Sequence, residues 1–176
     1  MKKVLIVVDM QNDFINGSLG TKEAAAIVTK VFRKISSFDG DVYFTRDTHP
    51  KDYLQTSEGK HLPVQHCIKG TDGWRFESGI EKLYLESGHE AIEKNTFGAK
   101  DLPAVLAENY PAGMESIELC GLCTDICVVS NALLIKAALP EVPISVDARL
   151  CAGVTPDAHQ AALATMRSCQ VQVAGA

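Results

Sequence analysis

The chain has 176 residues, of which 46% are hydrophobic and 22% charged, values typical of soluble globular proteins and unlike those of disordered or coiled-coil chains. Its net charge is −5 and its Lys and Arg residues are scattered singly, which argues against nucleic acid or an anionic lipid surface as a partner. A chain of this length predicts one domain over residues 1–176, with a core large enough to make a disulfide framework of the six cysteines unnecessary.

The amino-terminal apolar run imitates a signal peptide, but Asp9 cuts it short and no small-residue cleavage site follows. We therefore expect a cytoplasmic protein without a membrane span.

Short apolar runs alternate with helical patterns along the chain, which is typical of an α/β fold. We predict a single-domain, Rossmann-like three-layer sandwich with a mainly parallel six-stranded sheet and helices on both faces. The predicted strands are residues 3–8, 42–46, 90–93, 115–120, 143–147 and 170–173. The predicted helices are residues 21–36, 76–85, 101–109, 125–138 and 156–167. The polar segment 48–75 has no clear periodicity and is predicted to be a functional loop.

Four polar residues are predicted to lie at the edge of the sheet where ligands bind in open α/β folds. Asp9, Asp47 and Lys94 each follow a predicted strand, and Cys127 lies in the first turn of the helix predicted after the run 115–120. The unpaired N–H groups and the partial positive charge at a helix terminus favour Cys127 as S⁻ over SH. A lysine and a carboxylate beside that sulfur would form a nucleophilic triad of Asp9, Lys94 and Cys127.

A redox or iron–sulfur interpretation of the same region stays open, because Cys120 and Cys123 form a C-x2-C pair with Cys127 close behind. A second C-x2-C motif, which such sites usually need, is absent from the sequence.

The predicted loop 48–75 and the strand before it suggest a metal site. Asp47, His49 and His66 offer one carboxylate and two imidazoles, which suit zinc, iron or manganese, and Glu58 or His61 could add a ligand. The alternative is a polar surface loop whose histidines bind nothing.

Four blocks of the sequence resemble the isochorismatase-like cysteine hydrolases, the superfamily that includes the nicotinamidases. The blocks are Val8-Asp-Met-Gln-Asn-Asp-Phe14, Thr45-Arg-Asp-Thr-His49 with Pro63-Val-Gln-His-Cys67, Glu93-Lys-Asn-Thr-Phe97, and Gly121-Leu-Cys-Thr-Asp-Ile-Cys-Val128. The resemblance implies Asp9, Lys94 and Cys127 as catalytic residues. It also implies a cis Leu122–Cys123 peptide and an oxyanion hole made by the N–H groups of Cys123 and Cys127.

The resemblance further implies a divalent metal ion, zinc with iron or manganese as alternatives, bound by Asp47, His49, His66 and Glu58. The implied activity is hydrolysis of nicotinamide to nicotinate and ammonia through a thioester. An aromatic residue that the family has three positions before His66 is replaced by Pro63. Either another aromatic side chain takes its place at the substrate, with Phe14 and Phe97 as the first choices and Tyr53 and Trp74 as the others, or the substrate is another small amide.

Two other functions remain open at this stage. The same triad could hydrolyse a carbamoyl or ureido compound or isochorismate, and a non-catalytic binding protein could use the same fold. The resemblance also implies a homo-oligomer.

Overall fold

The computed structural model describes residues 1–175, which form one six-stranded sheet with helices on both faces. The strands are β1 Lys2–Val8, β2 Asp41–Asp47, β3 Ile92–Lys94, β4 Met114–Leu122, β5 Ile144–Ala152 and β6 Gln172–Ala174. The helices are α1 Asn12–Ile15, α2 Lys22–Ser36, α3 Ser57–His61, α4 Ser78–Ser87, α5 Leu102–Asn109, α6 Val129–Ala138 and α7 Pro156–Ser168. A 3₁₀ turn at Tyr53–Gln55 and a wide π-type turn at Thr124–Val128 complete the elements. None of the helices within residues 1–175 has the length and apolar character needed to cross a membrane.

The strand order is β3-β2-β1-β4-β5-β6, and every pair of neighbours is parallel. The predicted, mainly parallel sheet is therefore confirmed and is wholly parallel. The chain builds outward from β1 to β3 and then crosses back to β4, so the order reverses between β1 and β4. In open α/β sheets, ligands bind outside the carboxyl ends of the strands at this reversal.

The central strand β1 explains the three layers, because its alternate side chains enter two separate cores. Val4, Ile6 and Val8 pack with apolar side chains of α5, α6 and α7. Leu5 and Val7 pack on the opposite face with those of α2 and α4. A strand buried on both faces carries an unbroken apolar run, as the sequence has here.

Most predicted elements are found within two or three residues of their expected bounds, and the differences matter most at the sheet edge. The third strand was expected at residues 90–93 but begins at Ile92, so Lys94 is its last residue rather than the one after it. Asp47 is likewise the last residue of β2, because Asp47 and Lys94 pair with each other across the sheet. The fourth and fifth strands run further than predicted because pairing resumes beyond a bulge, at Gly121 with Cys151.

The segment 48–75 is more regular than predicted. It contains the 3₁₀ turn and α3, a helix that begins after Thr56, whose hydroxyl accepts the Gly59 N–H at 3.0 Å. Such a short helix has too few residues to produce a visible apolar period, although a threonine cap followed by Glu58 in the first turn is a helix signal.

Candidate active site

The carboxyl ends of four strands bring the predicted site residues together. Asp9 follows β1, Asp47 ends β2, Lys94 ends β3, and Cys127 lies in the turn after β4. All four side chains are buried. The chain segments that carry them are far apart in sequence, so their convergence depends on the strand order.

Lys94 lies at the centre of this group. Its Nζ is 2.7 Å from Asp9 Oδ2, 3.4 Å from Asp47 Oδ1 and 3.5 Å from Cys127 Sγ. The other oxygen of the Asp9 carboxylate accepts the Thr45 hydroxyl at 2.6 Å. The structure therefore places Lys94 in contact with both other predicted triad members.

The backbone of Asp9 has a left-handed conformation, with φ at 47°, which is uncommon for a residue other than glycine. Its N–H donates to the Thr45 carbonyl at 3.3 Å, and its own carbonyl accepts the Gln11 N–H at 2.7 Å. These contacts hold a conformation that would otherwise be unfavourable, as is common at functional sites.

The protonation states in this group are set by burial and by Lys94. Burial raises the pKa of Asp9 above its usual range, although the Lys94 ammonium opposes the shift. Burial would lower the pKa of Lys94, but the negative charges around it raise the net value well above the usual one. Burial and the Asp9 charge raise the pKa of Cys127 well above 9.0, against the effect of Lys94. This direction is opposite to the effect of the helix terminus and favours a neutral thiol beside a carboxylate that can accept its proton.

The predicted metal ligands form a second group that shares Asp47 with the first. Asp47 Oδ2 is 3.0 Å from His49 Nε2 and 3.6 Å from His66 Nε2. Glu58 Oε1 is 3.7 Å and 3.6 Å from the same two nitrogens. Glu58, one of the two candidates for a further ligand, is thus brought to the group by α3.

These residues fit a divalent metal ion. The ligand atoms of Asp47, His49 and His66 all lie within 4.8 Å of one another, and all three residues are buried. His66 bonds the Val64 carbonyl through Nδ1 at 2.9 Å, which leaves Nε2 to face the two carboxylates. Two imidazoles and carboxylates are the donor set that zinc commonly uses. The cysteines 120, 123 and 127 do not form such a group among the described residues, so the iron–sulfur alternative finds no support.

The charges of this second group explain why it would bind a cation. Burial raises the pKa of Asp47, but hydrogen bonds from both histidines and the Lys94 charge outweigh it and lower the net value. Burial disfavours a proton on His66, but hydrogen bonds to Asp47 and Glu58 raise the pKa to about 10. The negative charges that raise this pKa also attract a metal cation, which would have to displace the proton because a histidine ligand must be neutral.

The predicted oxyanion-hole residues lie at the wide turn after β4. The Leu122–Cys123 peptide is cis, as expected. Within the turn the Val128 N–H donates to the Cys123 carbonyl, five residues back, at 3.0 Å. π-type turns of this kind are rare and are frequently found at functional sites.

A cavity of about 760 Å³ opens onto both groups. Its lining includes Cys127 and Cys123 on one side and Asp47, His49, His66 and Glu58 on another. Of the aromatic residues considered for the substrate, Phe14 and Phe97 line this cavity, and the Phe14 ring centroid is 5.6 Å from that of His66. Tyr53 lies behind the two imidazoles, with its ring centroid 4.8 Å from His49. Trp74 instead packs on the buried Arg46 guanidinium, at 4.4 Å.

The other histidines do not belong to the metal group. His61 lines the cavity, but its Nδ1 bonds the Ser57 carbonyl at 2.8 Å. His159 bonds the Thr124 hydroxyl at 2.7 Å, so α7 supports the turn that carries Cys127.

Gln11 is a supporting residue that the sequence did not single out. Its amide nitrogen donates to the carbonyls of Asp47 and Trp74 at 2.8 and 2.9 Å, and its oxygen accepts the Asp47 N–H at 2.7 Å. The side chain is fully buried and fixes the backbone of the residue shared by the two groups. A glutamine two residues after a strand-end carboxylate was the available signal.

Replacing Gln11 with leucine is expected to lower the free energy of unfolding by roughly 2–4 kcal/mol, because it leaves several buried backbone groups without partners. Chemical denaturation would measure the change. Gln65→Leu is the matched control, since Gln65 is exposed and makes one long contact of 3.4 Å with Lys51. Equal stability of the two variants would contradict the role given to Gln11.

The sheet and the site at its carboxyl edge define the class, an all-parallel α/β enzyme domain with a buried thiol and a metal-ligand group facing one cavity. The family model described as the isochorismatase domain matches residues 3–176. The chain therefore belongs to the isochorismatase family.

Relatives with known names are similar over nearly the whole chain. The nicotinamidase/pyrazinamidase of Mycobacterium tuberculosis is 30% identical over 97% of this chain and 97% of its own length. The crystal structure of nicotinamidase/pyrazinamidase PncA from Bacillus subtilis has a TM-score of 0.85 at 30% identity and covers 99% of this chain and 100% of that one. The Pyrococcus horikoshii pyrazinamidase in complex with zinc has a TM-score of 0.80 at 26% identity, with 98% of each chain covered.

Proposed function

We propose that the protein is a metal-dependent cysteine amidohydrolase that converts nicotinamide into nicotinate and ammonia. The observation that carries this proposal is the position of Asp47, whose Oδ1 faces Lys94 and whose Oδ2 faces His49 and His66. One carboxylate thus joins the nucleophile group to the metal-ligand group. A ring bound at the second group would place a substituent near the thiol of the first.

The names of the relatives and the zinc in one of them support nicotinamide as substrate and zinc as metal. Asp47, His49, His66 and Glu58 would hold the ion, which when bound supplies a Lewis acid that anchors the pyridine nitrogen. Phe14 and Phe97 would pack on the ring. Such an anchor lowers the barrier by holding the amide in position for attack.

The acylation step follows from the contacts of Cys127. Asp9 accepts the thiol proton while Lys94 stabilises the charges, and Sγ forms a bond to the amide carbon. The N–H groups of Cys123 and Cys127 donate to the oxyanion, and donors of this kind each contribute about 3 kcal/mol to transition-state stabilisation. Asp9 returns the proton to the nitrogen, the C–N bond breaks, and ammonia leaves a thioester on Cys127.

Deacylation uses the Asp9 carboxylate again, this time as the base that activates water. Asp9 accepts a proton from water, the water oxygen attacks the thioester carbon, and the C–S bond breaks. The sulfur regains a proton and nicotinate is released. A carboxyl with a raised pKa suits this alternation between base and acid.

Ammonia release from nicotinamide by the purified protein tests the proposal. We expect release that EDTA abolishes and added zinc restores. A metal-independent enzyme that hydrolyses carbamoyl or ureido compounds or isochorismate, and not nicotinamide, would overturn the substrate assignment while leaving the triad in place. A protein that binds these compounds without turnover would overturn the enzymatic assignment.

His66→Ala is expected to lower zinc affinity by at least roughly 100-fold. Loss of a residue that only supports a metal ligand already costs up to about 100-fold, and His66 is proposed as a ligand itself. Zinc titration monitored by calorimetry would measure it. His61→Ala is the control, because His61 faces the same cavity without contacting the metal-ligand group. Unchanged zinc binding by His66→Ala would contradict the ligand assignment.

A further inference from the structure

Cys127 lies where the wide turn Thr124–Val128 passes into α6. At this junction the hydrogen bonds of the wide turn reach five residues back. The Val129 N–H, for example, donates to the Thr124 carbonyl. Two carbonyls at the junction also accept side-chain donors from residues four further on. The Ser130 hydroxyl bonds the Ile126 carbonyl at 2.6 Å, and the Asn131 amide nitrogen bonds the Cys127 carbonyl at 2.8 Å.

Asn131 makes a second bond that leaves the helix. Its Oδ1 accepts the N–H of Ala99 at 2.8 Å. Ala99 lies in the segment 95–101, which follows Lys94 and carries Phe97 to the cavity. This segment packs tightly on α6, since a Cβ at Gly98 would collide with Leu134.

Asn131 is a polar residue in apolar surroundings, which indicates that its hydrogen bonds have a functional role. The side chain is fully buried next to the apolar core that contains Val128, Ala132 and Ile135. A buried amide at such a position destabilises a fold unless its groups are hydrogen-bonded, and a leucine would pack there at lower cost. Here one bond goes to the nucleophile's own carbonyl and the other to the segment that leaves Lys94.

We propose that Asn131 is a positioning residue that fixes the Cys127 turn relative to the Lys94 segment and so sets the placement of Sγ against Lys94 and Asp9. The inference rests on the proposed function, because it takes Cys127 as the nucleophile. Lys94 Nζ lies 3.5 Å from Sγ, and a displacement of about 1 Å in such a contact can cost roughly 100-fold in rate.

The test compares Asn131→Val with Asn131→Thr, two side chains of the same shape. A threonine hydroxyl can donate to the carbonyl four residues back, which valine cannot. We expect Asn131→Val to lower kcat for nicotinamide by about 100-fold with little change in KM. Asn131→Thr can regain the bond to the Cys127 carbonyl but lacks the amide oxygen that accepts the Ala99 N–H, so it should recover part of the loss. A purely structural role would affect the two variants equally.

Ser130→Ala is the matched control, since it removes the same kind of bond from the neighbouring carbonyl of Ile126, and its kcat should stay near that of the wild type. Equal kcat for Asn131→Val and Asn131→Thr, or wild-type kcat for Asn131→Val, overturns the proposal. Should Asn131→Val fail to fold, Asn131→Ala removes the same donor without a β-branched side chain and takes its place.

A second measurement separates this inference from the proposed function. Iodoacetamide labelling of Cys127, followed by peptide mass spectrometry, needs no turnover. If the wild type releases no ammonia from nicotinamide, the proposed function fails, but Asn131→Val should still change the labelling rate of Cys127 and Asn131→Thr should restore that rate in part. Identical labelling of all variants overturns the role of Asn131 by itself.

Discussion

Cys127→Ala is expected to reduce kcat for nicotinamide by roughly 10⁵-fold or more while the protein stays folded, because the variant lacks the atom that we propose forms the thioester. The thiol is a small buried group, so its removal costs the fold little. Circular dichroism would confirm the fold, and a coupled ammonia assay would measure the rate.

The neighbouring cysteine provides a matched control for this variant. Cys123 also lines the cavity, but the mechanism uses its backbone N–H and not its sulfur. Cys123→Ala should therefore keep most of the activity. Comparable losses in the two variants, or appreciable turnover by Cys127→Ala, would contradict the assignment of the nucleophile.

Lys94→Met is expected to impair both activity and stability. The variant leaves the Asp9 and Asp47 carboxylates buried together without their cation, and breaking a buried ion pair from one side costs roughly 3–5 kcal/mol. Activity should fall by about 10⁴-fold, the scale observed when the orienting member of a triad is removed. Urea denaturation and the ammonia assay would measure the two effects.

Lys69→Met is the control for the loss of a lysine. Lys69 is exposed and pairs with Glu93 at 2.6 Å, and exposed pairs contribute at most about 1 kcal/mol. Its stability and activity should stay near those of the wild type. If Lys94→Met unfolds at the same urea concentration as Lys69→Met, the buried pairs of Lys94 with Asp9 and Asp47 do not stabilise the fold as described.

The convergence of Asp9, Asp47, Lys94 and Cys127 could be predicted from the sequence because each follows or ends a strand-like run. In a parallel sheet, the carboxyl ends of all strands lie at one edge, so order along the chain is enough to bring such residues to the same side. The histidines could be predicted by ligand type. The sequence alone could not establish that Asp47 contacts both groups, since this depends on the pairing of Asp47 with Lys94.

Other features depend on tertiary environment and were predicted wrongly or missed. The helix position of Cys127 favours a low thiol pKa, whereas burial and the Asp9 charge raise this pKa in the folded protein. Gln11 and Asn131 act through buried hydrogen bonds to distant backbone, which leave no periodic pattern. The homo-oligomer and the cytoplasmic location stay predictions.

Rapid acid quenching of the zinc-loaded protein during turnover of nicotinamide, followed by peptide mass spectrometry, tests the central claim most directly. The account predicts a nicotinoyl group on Cys127 that is absent from Cys127→Ala and from samples without substrate. Turnover without any acyl group on Cys127, or an acyl group on another residue, would contradict it.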